Sequence, residues 1–471
     1  MAARQPSVVA GLALTVVLFG TIVRETMDLE SAGLLAAAAL VVYVASQVVE
    51  LPRTGKIILA AGLVVGISIA LQIDDAVAKT IEALRTACYY ATMFTAVGFL
   101  RTAAEGSRMI RRCGQQLIAQ PPGRRYAALT VGGNLFGLIL SFGSLQLLGT
   151  MVLRTNTLAA AGGNERIQAV RERRMLLAVL RGFSMSPAWS PLSVTLALSL
   201  SLTPGAEWQQ VLPIAFATAV LMLAFGWLYD RMTGPRPQAP PPTVHSDDNW
   251  SVQLRLIGLV AFIFLAAFSV EEITDLRLIV AVIVTVPVIA TGWILVQGLF
   301  MGVRRALAWT GRRLWRQTVV VYPTYRMEIT ILVSAAFAGS MIATVLPTAQ
   351  IAELLLSGVL PTVAVPVLVV WLVVLGGQLG LNPIITVIVV GTAMPAPDVL
   401  GIPPYMLAAA YMAGWGLCIG ASPFTLTTLI IGRMSGRTGR EVGHDWNGRF
   451  TILGLFAVSI WMVGLTMALM R

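Results

Sequence analysis

A chain of 471 residues that is 57% hydrophobic and only 12% charged, with a mean hydropathy of +0.80, is not a soluble core with one anchor. It reads as a polytopic membrane protein, since apolar stretches of about 20 residues recur from end to end. The net charge of +11 sits in membrane-adjacent loops, so it needs no nucleic-acid partner. Cys88, Cys113 and Cys418 are too few and too scattered for a disulfide framework or a metal site, and His245 and His444 both fall in polar loops.

In chain order, the first apolar run, residues 7–23, is followed by Arg24-Glu25 and lacks a small-residue cleavage site. It predicts a retained membrane helix rather than a signal peptide. A second span near 31–49 completes an N-terminal pair, residues 1–50. The first repeat is expected over 51–231, with simple spans near 56–72, 86–103 and 210–229. Between them, 125–154 carries Gly132-Gly133-Asn134 and the polar kink Ser141-Phe142-Gly143-Ser144. It is too long for one helix and too short for two, so it predicts a re-entrant hairpin turning at mid-depth. Residues 173–203, interrupted by Ser186-Pro187 and Ser190-Pro191, predict a broken helix.

A polar cytoplasmic linker is expected over 232–252, where Pro235 to Pro242 precede His245-Ser246-Asp247-Asp248. The second repeat, 253–471, has spans near 253–270, 276–301, 327–346 and 450–470. Its hairpin, 361–395, carries Gly376-Gly377-Gln378 and Gly380-Leu381-Asn382-Pro383, and its broken helix lies at 404–432. The Arg-rich stretch 303–322 reads either as an interfacial amphipathic helix, with Trp309 and Trp315 at headgroup level, or as an ordinary basic loop. The fold class is therefore an all-α polytopic membrane protein, with about 11 transmembrane helices plus two re-entrant hairpins.

The two broken segments share a phrase, 232 positions apart: Gly182-Phe183, six residues, Ser190-Pro191-Leu192-Ser193-Val194-Thr195, and Gly414-Trp415, six residues, Ser422-Pro423-Phe424-Thr425-Leu426-Thr427. A helix break in an apolar segment is tolerated where the freed backbone lines a cavity or is buried in protein. Matching breaks in two halves point to a transporter's binding site. With the N-terminus inside and both hairpins re-entrant, 27 of the 33 Lys and Arg residues fall on the cytoplasmic side. Arg24, Lys79, Arg85, Arg277 and Arg471 fall outside, and Arg181 within a membrane segment. The first hairpin then enters from the cytoplasm and the second from outside, giving two inverted-topology repeats and an outside C-terminus.

Hairpin, broken helix, and the same again inverted resembles the ion transporter superfamily. That superfamily includes divalent anion–sodium symporters, citrate carriers, arsenite permeases and the large membrane subunits of binding-protein-dependent (TRAP) carboxylate transporters. Ser186-Pro187-Ala188-Trp189-Ser190-Pro191-Leu192-Ser193 has the layout of its Thr-Pro, two residues, Thr-Pro-Pro-Asn motif. Ile419-Gly420-Ala421-Ser422-Pro423-Phe424-Thr425 has it in weaker form, and Leu379-Gly380-Leu381-Asn382-Pro383-Ile384 is similar to its hairpin tip. The resemblance covers roughly residues 50 to 471. It implies alternating access and, for many members, a homodimer. Sodium–dicarboxylate members carry Ser-Asn-Thr at both tips. Here the first tip has no Asn, and Asn382 is flanked by Leu381 and Pro383, so neither sodium nor a dicarboxylate is carried over.

The chemistry of the breaks favours an anion. A helix interrupted at mid-membrane presents free N–H groups and a positive dipole end at the start of its second half. No Asp or Glu lies between Glu172 and Glu207, between Glu353 and Asp398, or between Asp398 and Glu441, which disfavours a cation or a proton carried on a buried carboxylate. The substrate-binding candidates are Ser141, Ser144, Ser186, Ser190, Ser193, Asn382, Thr386, Ser422, Thr425 and Arg181. Pro187, Pro191, Pro383 and Pro423 are the helix breakers. For the hydroxyls, the alternative is helix–helix bonding. For Arg181, it is snorkelling to the cytoplasmic surface. No resident cofactor or metal is expected. A sodium ion near Gly143 and Asn382, or proton coupling, stays open.

The expected function is a secondary transporter of a small organic anion, a carboxylate foremost, in the bacterial cytoplasmic membrane. Its partners would be membrane lipid and the anionic solute. The alternative is the permease subunit of a TRAP-like system with a periplasmic binding protein. A membrane enzyme lacks an acid–base set among the apolar segments, and a channel lacks rings of charge or filter carbonyls.

Overall fold

The computed structural model describes residues 7–234, 250–357 and 361–470. The Pro-rich part of the linker, residues 235–249, lies outside them, as do Arg4 and Arg471. Every regular element among the described residues is helical, and nine helices are long and apolar enough to cross a membrane. Two of the eleven expected spans fall outside that group for a visible reason. Ala76–Glu105 is continuous over 30 residues, but Thr86, Tyr89, Tyr90, Thr92 and Thr95 dilute its apolar middle and Lys79, Glu82, Arg85, Arg101 and Glu105 lie toward its ends. The first broken helix divides into Glu165–Ser184 and Val194–Ser201, and neither piece supplies the roughly 20 apolar residues of a span.

The chain forms two compact units. The first contains Met1–Gly106, Ile263–Ile351 and Gly391–Met394. Small residues let its helices approach closely, as in membrane bundles generally. A Cβ on Gly62 would lie 3.0 Å from that of Ser334, where Arg53–Ala70 crosses Arg326–Ala343. The Tyr43 hydroxyl donates to the Tyr322 carbonyl at 3.0 Å. Glu25, with its side chain 6% exposed, accepts from Arg24 at 2.6 Å and Arg277 at 2.9 Å. The Arg-rich stretch is helical over Val303–Arg316. Val303, Leu307 and Trp315 are exposed on it together with Arg304, Arg305, Arg312 and Arg316, the composition of an interfacial helix. Trp309 stays half-buried beneath the Arg313 guanidinium, 4.8 Å from its ring.

The second unit contains Ser107–Phe262, Ala352–Val390 and Pro395–Arg471, and it gathers both hairpin tips and both broken helices. The first hairpin has arms Pro122–Leu140 and Gly143–Thr155. Its second arm, 13 residues, is about 20 Å long, well short of a hydrocarbon core about 30 Å thick. The turn rests on Ser141, whose φ of 49° is sparsely populated for a side chain with Cβ. The second hairpin joins Val365–Gln378 to Pro383–Ala393 through Gly380 at φ 91°.

In both halves the hairpin's first arm packs on the broken helix that follows it. The glycine that opens each shared phrase marks the crossing. A Cβ on Gly182 would run into the Thr130 carbonyl oxygen, and one on Gly414 would lie 2.9 Å from the Val373 Cβ.

A candidate anion site where two broken helices meet

The breaks begin where proline removes a backbone donor and forces the preceding residue out of the helical region. The first helical segment of the second broken helix, Pro404–Ala421, ends at Ser422, which is extended at φ −70°, ψ 132° ahead of Pro423. The helix resumes after Thr425 as Leu426–Ser435. In the first, Glu165–Ser184 gives way to turns that include Pro187 and Pro191, and Ser193 caps Val194–Ser201 by accepting from Leu196 N. Asn, Asp, Ser and Thr side chains compete for local backbone groups in this way.

Three bonds of the first break recur in the second. Ser190 Oγ accepts from Leu192 N at 3.1 Å, and Ser422 Oγ accepts from Phe424 N at 3.2 Å. Ser193 Oγ donates to Ser190 O at 2.7 Å with Pro187 O at 3.1 Å. Thr425 Oγ1 donates to Ser422 O at 2.9 Å with Ile419 O at 3.1 Å. Each partner in one set lies 232 positions from its counterpart in the other. The breaks are also fastened to their hairpins. Ser186 Oγ donates to Asn134 O at 2.8 Å, and Ser422 Oγ donates to Gly377 O at 2.7 Å. Asn134 returns a bond from Nδ2 to Gly182 O at 3.2 Å and accepts from Trp189 Nε1 at 3.2 Å.

The breaks come together through the second broken helix. A Cβ on Gly416 would lie 2.9 Å from Ala188 Cβ, and one on Gly420 2.5 Å from Ser184 Oγ. A cavity at this crossing is lined by Arg181, Ser184 and Met185 of the first copy and by Gly416, Leu417 and Gly420 of the second. Met222, Asn447, Phe450 and Thr451 complete its wall. At about 10 Å³ counted at solvent centres, it holds about one water molecule.

Arg181 is 6% exposed and does not reach for the surface. Nε donates to Asn447 Oδ1 and NH1 to the Tyr126 hydroxyl, each at 2.8 Å. The guanidinium lies 4.0 Å from the Phe450 ring centre and 5.3 Å from that of Tyr229. None of the ion pairs among the described residues includes it. Its neighbour Arg174 does have a carboxylate, bound through two bonds to Asp230 at 3.0 and 2.6 Å.

The remaining candidates bond within their own tips. Ser144 Oγ donates to Ser141 O at 2.8 Å. Asn382 Oδ1 accepts from Ile384 N at 3.0 Å, and Thr386 Oγ1 donates to Asn382 O at 3.2 Å. Pro383 opens the second arm. Of the substrate-binding candidates only Arg181 lines the cavity; Ser186, Ser190, Ser193, Ser422 and Thr425 do not, nor do the tip residues or Gly143. No group of three or more His, Cys, Asp and Glu side chains suited to a metal occurs among the described residues.

Several residues around Arg181 lie outside the candidate set. Asn447 carries the clearest signal, an amide at the mouth of the final apolar run, in Asn447-Gly448-Arg449. Tyr126 sits at the start of the first hairpin behind Arg124-Arg125. Ser184 carries no signal of its own in the sequence, next to the Ser-Pro pairs that follow it.

No family model matches the chain, and no curated protein matches it in sequence. The fold does have solved counterparts. It is similar to the YdaH transporter of Alcanivorax borkumensis, described as having an unusual topology, at 16% identity and a TM-score of 0.54, over 79% of this chain and 84% of that one. It is also similar to MtrF of Neisseria gonorrhoeae, described with a class of antimetabolite efflux pumps, at 12% identity and a TM-score of 0.54, over 88% of this chain and 95% of that one.

Proposed function

We propose that this chain is a secondary transporter that moves a small organic anion, a carboxylate foremost, across a bacterial cytoplasmic membrane by alternating access. The observation that carries the proposal is Arg181: a buried guanidinium with neutral partners, on the wall of a cavity where two matched helix breaks meet. A buried charge costs several kcal/mol unless it is paired. Aromatic faces and two hydrogen bonds offset part of that cost, and a carboxylate would offset more. Intramembrane ionisable residues mark substrate pathways by default.

The match to two transporter folds supports transport as the class of activity, and the resemblance of the Ser-Pro phrases to the ion transporter superfamily supports an anionic cargo. In this reading the hairpins and broken helices move as the carrier, the N-terminus is cytoplasmic, and cation coupling and a homodimer follow the superfamily pattern. The test is uptake or extrusion of radiolabelled mono-, di- and tricarboxylates by purified protein in vesicles, with and without sodium, and with an imposed proton gradient. Saturable movement of at least one carboxylate is expected. Protein that moves none in any condition sinks the proposal.

A further inference from the structure

Asn447 joins the site to a segment that the breaks and hairpins do not explain. It is 2% exposed and stands between the π-helical turn Glu441–Trp446 and the final helix Gly448–Leu469. Its amide makes one bond to each side. Oδ1 accepts from Arg181 Nε at 2.8 Å, and Nδ2 donates to Gly420 O at 2.8 Å. The first broken helix is thereby tied to the last turn of the second before its break.

The residues that lead into Asn447 form a strap over that break. A Cβ on Gly439 would run into Pro423 O, and one on Gly443 would lie 2.5 Å from Ala421 O. Arg173, two turns before Arg181, donates from NH2 to the carbonyls of Asp445 and Trp446 at 3.2 Å each. His444 Nε2 and Gln378 Oε1 lie 2.8 Å apart, joining the strap to the second hairpin.

We infer that Asn447 holds the place of the substrate's carboxylate on Arg181, and that binding displaces it and frees the strap from the second break. The inference rests on the assignment of Arg181 to an anion. With room for about one water, the cavity cannot take a carboxylate beside Asn447, so the anion must replace the amide. It wins because the amide is a neutral acceptor, whereas a carboxylate carries its own charge to the guanidinium and can pair with it through two parallel bonds. Once Asn447 swings away, Gly420 O loses its side-chain donor in a buried place, and that break and the strap cannot keep their present arrangement. Binding energy is thus turned into movement at the end of the broken helix. Asn447 acts as a positioning residue and a latch.

Asn447→Asp reproduces both halves of this event without a ligand. The carboxylate keeps the size of the amide and pairs with Arg181, and it sets an oxygen against Gly420 O where an N–H group was. We expect backbone amides of residues 438–446 to exchange hydrogen at least tenfold faster in N447D than in the wild type. Benzoate, succinate and citrate should no longer raise its melting temperature. Asn447→Ala, which also removes the tie to Gly420 but leaves Arg181 free, should loosen the strap equally and enlarge the carboxylate-induced melting shift. It serves as the measurement if N447D does not fold. Strap exchange equal to wild type in both variants, while carboxylates still shift the wild type, overturns the latch and leaves the transport proposal standing. Faster strap exchange with no shift by any of the three carboxylates in wild type or N447A overturns the substrate half and the anion assignment together.

Discussion

Arg181 lies on the cavity wall with contacts drawn from distant parts of the chain, at Tyr126, Asn447 and Phe450. Its position two turns past Arg174 made a surface-seeking side chain plausible, because long basic side chains reach the interface near helix ends. The structure turns it inward instead, onto Tyr126, Asn447 and Phe450, while Arg174 satisfies Asp230. Under the proposed function, that division of labour makes the Arg174 pair structural and leaves Arg181, whose partners are neutral, to meet the anion. Arg181→Gln should keep the fold, since an amide can still bond to Tyr126 and Asn447. It should lower carboxylate affinity tenfold or more, because a hydrogen bond to a charged group contributes about 1.5–3 kcal/mol. Arg181→Lys, which keeps the charge but loses the planar fork, should fall between. Thermal-shift titrations of the three proteins give the comparison, and equal affinities would return Arg181 to a packing role.

At the scale of elements, the hairpins and broken helices were legible because proline, glycine and length act locally. Proline alone does not decide it, since Pro213 and Pro287 lie inside continuous helices; at the breaks it follows a serine whose hydroxyl takes up a local backbone N–H, and residues 125–154 and 361–395 are the wrong length for whole spans. The repeat was legible in the Gly-aromatic and Ser-Pro phrases, and the matched bonds of Ser190 with Ser422 and Ser193 with Thr425 give it a physical content. What could not be read was which neighbours close the cavity. Tyr126, Asn447 and Phe450 reach Arg181 across the fold, and no local spacing announces a contact between residues 266 apart.

Two tests belong at this scale. Gly182→Ala should destabilise more than Gly414→Ala in detergent melts. The first drives a methyl into the Thr130 backbone carbonyl, while the second sets it 2.9 Å from Val373 Cβ and 3.3 Å from the Val370 backbone, a shallower overlap, and overpacking costs about 1–3 kcal/mol. The reverse order would mean that the two crossings are not equivalent.

The second test concerns the strap's entry turn. Thr438 and Glu441 form a reciprocal cap: Glu441 Oε2 accepts from Thr438 N at 2.8 Å and from its hydroxyl at 2.9 Å, while Glu441 N donates to Thr438 Oγ1 at 3.1 Å. Those bonds, the backbone bond first, and then Arg437 hold the Glu441 carboxyl below its ordinary value of 4.5. A depressed carboxylate stabilises the folded turn fully above the unfolded value and loses that contribution as pH falls through the folded one. The difference in strap hydrogen exchange between wild type and Glu441→Gln should therefore be constant near neutrality and shrink below about pH 4.5. A difference that persists at pH 3 would place the capping strength elsewhere.

For the whole molecule, the decisive property is the sidedness that the charge distribution implies. The same count that set the hairpins as re-entrant makes Gly311, on the exposed part of Val303–Arg316, cytoplasmic, and Lys79, near the start of Ala76–Glu105, external. If either hairpin crossed the membrane completely, every later loop would change sides and the basic residues would be shared between the two faces, against the strong cytoplasmic bias of Lys and Arg. The native cysteines Cys88, Cys113 and Cys418 are buried and give a low background. Lys79→Cys should therefore react with a membrane-impermeant maleimide in intact cells, and Gly311→Cys only after the membrane is opened. Labelling of both in intact cells would mean that the first hairpin spans the membrane. Every later segment, both breaks included, would then change sides, and the two halves would no longer be matching units of re-entrant hairpin and broken helix.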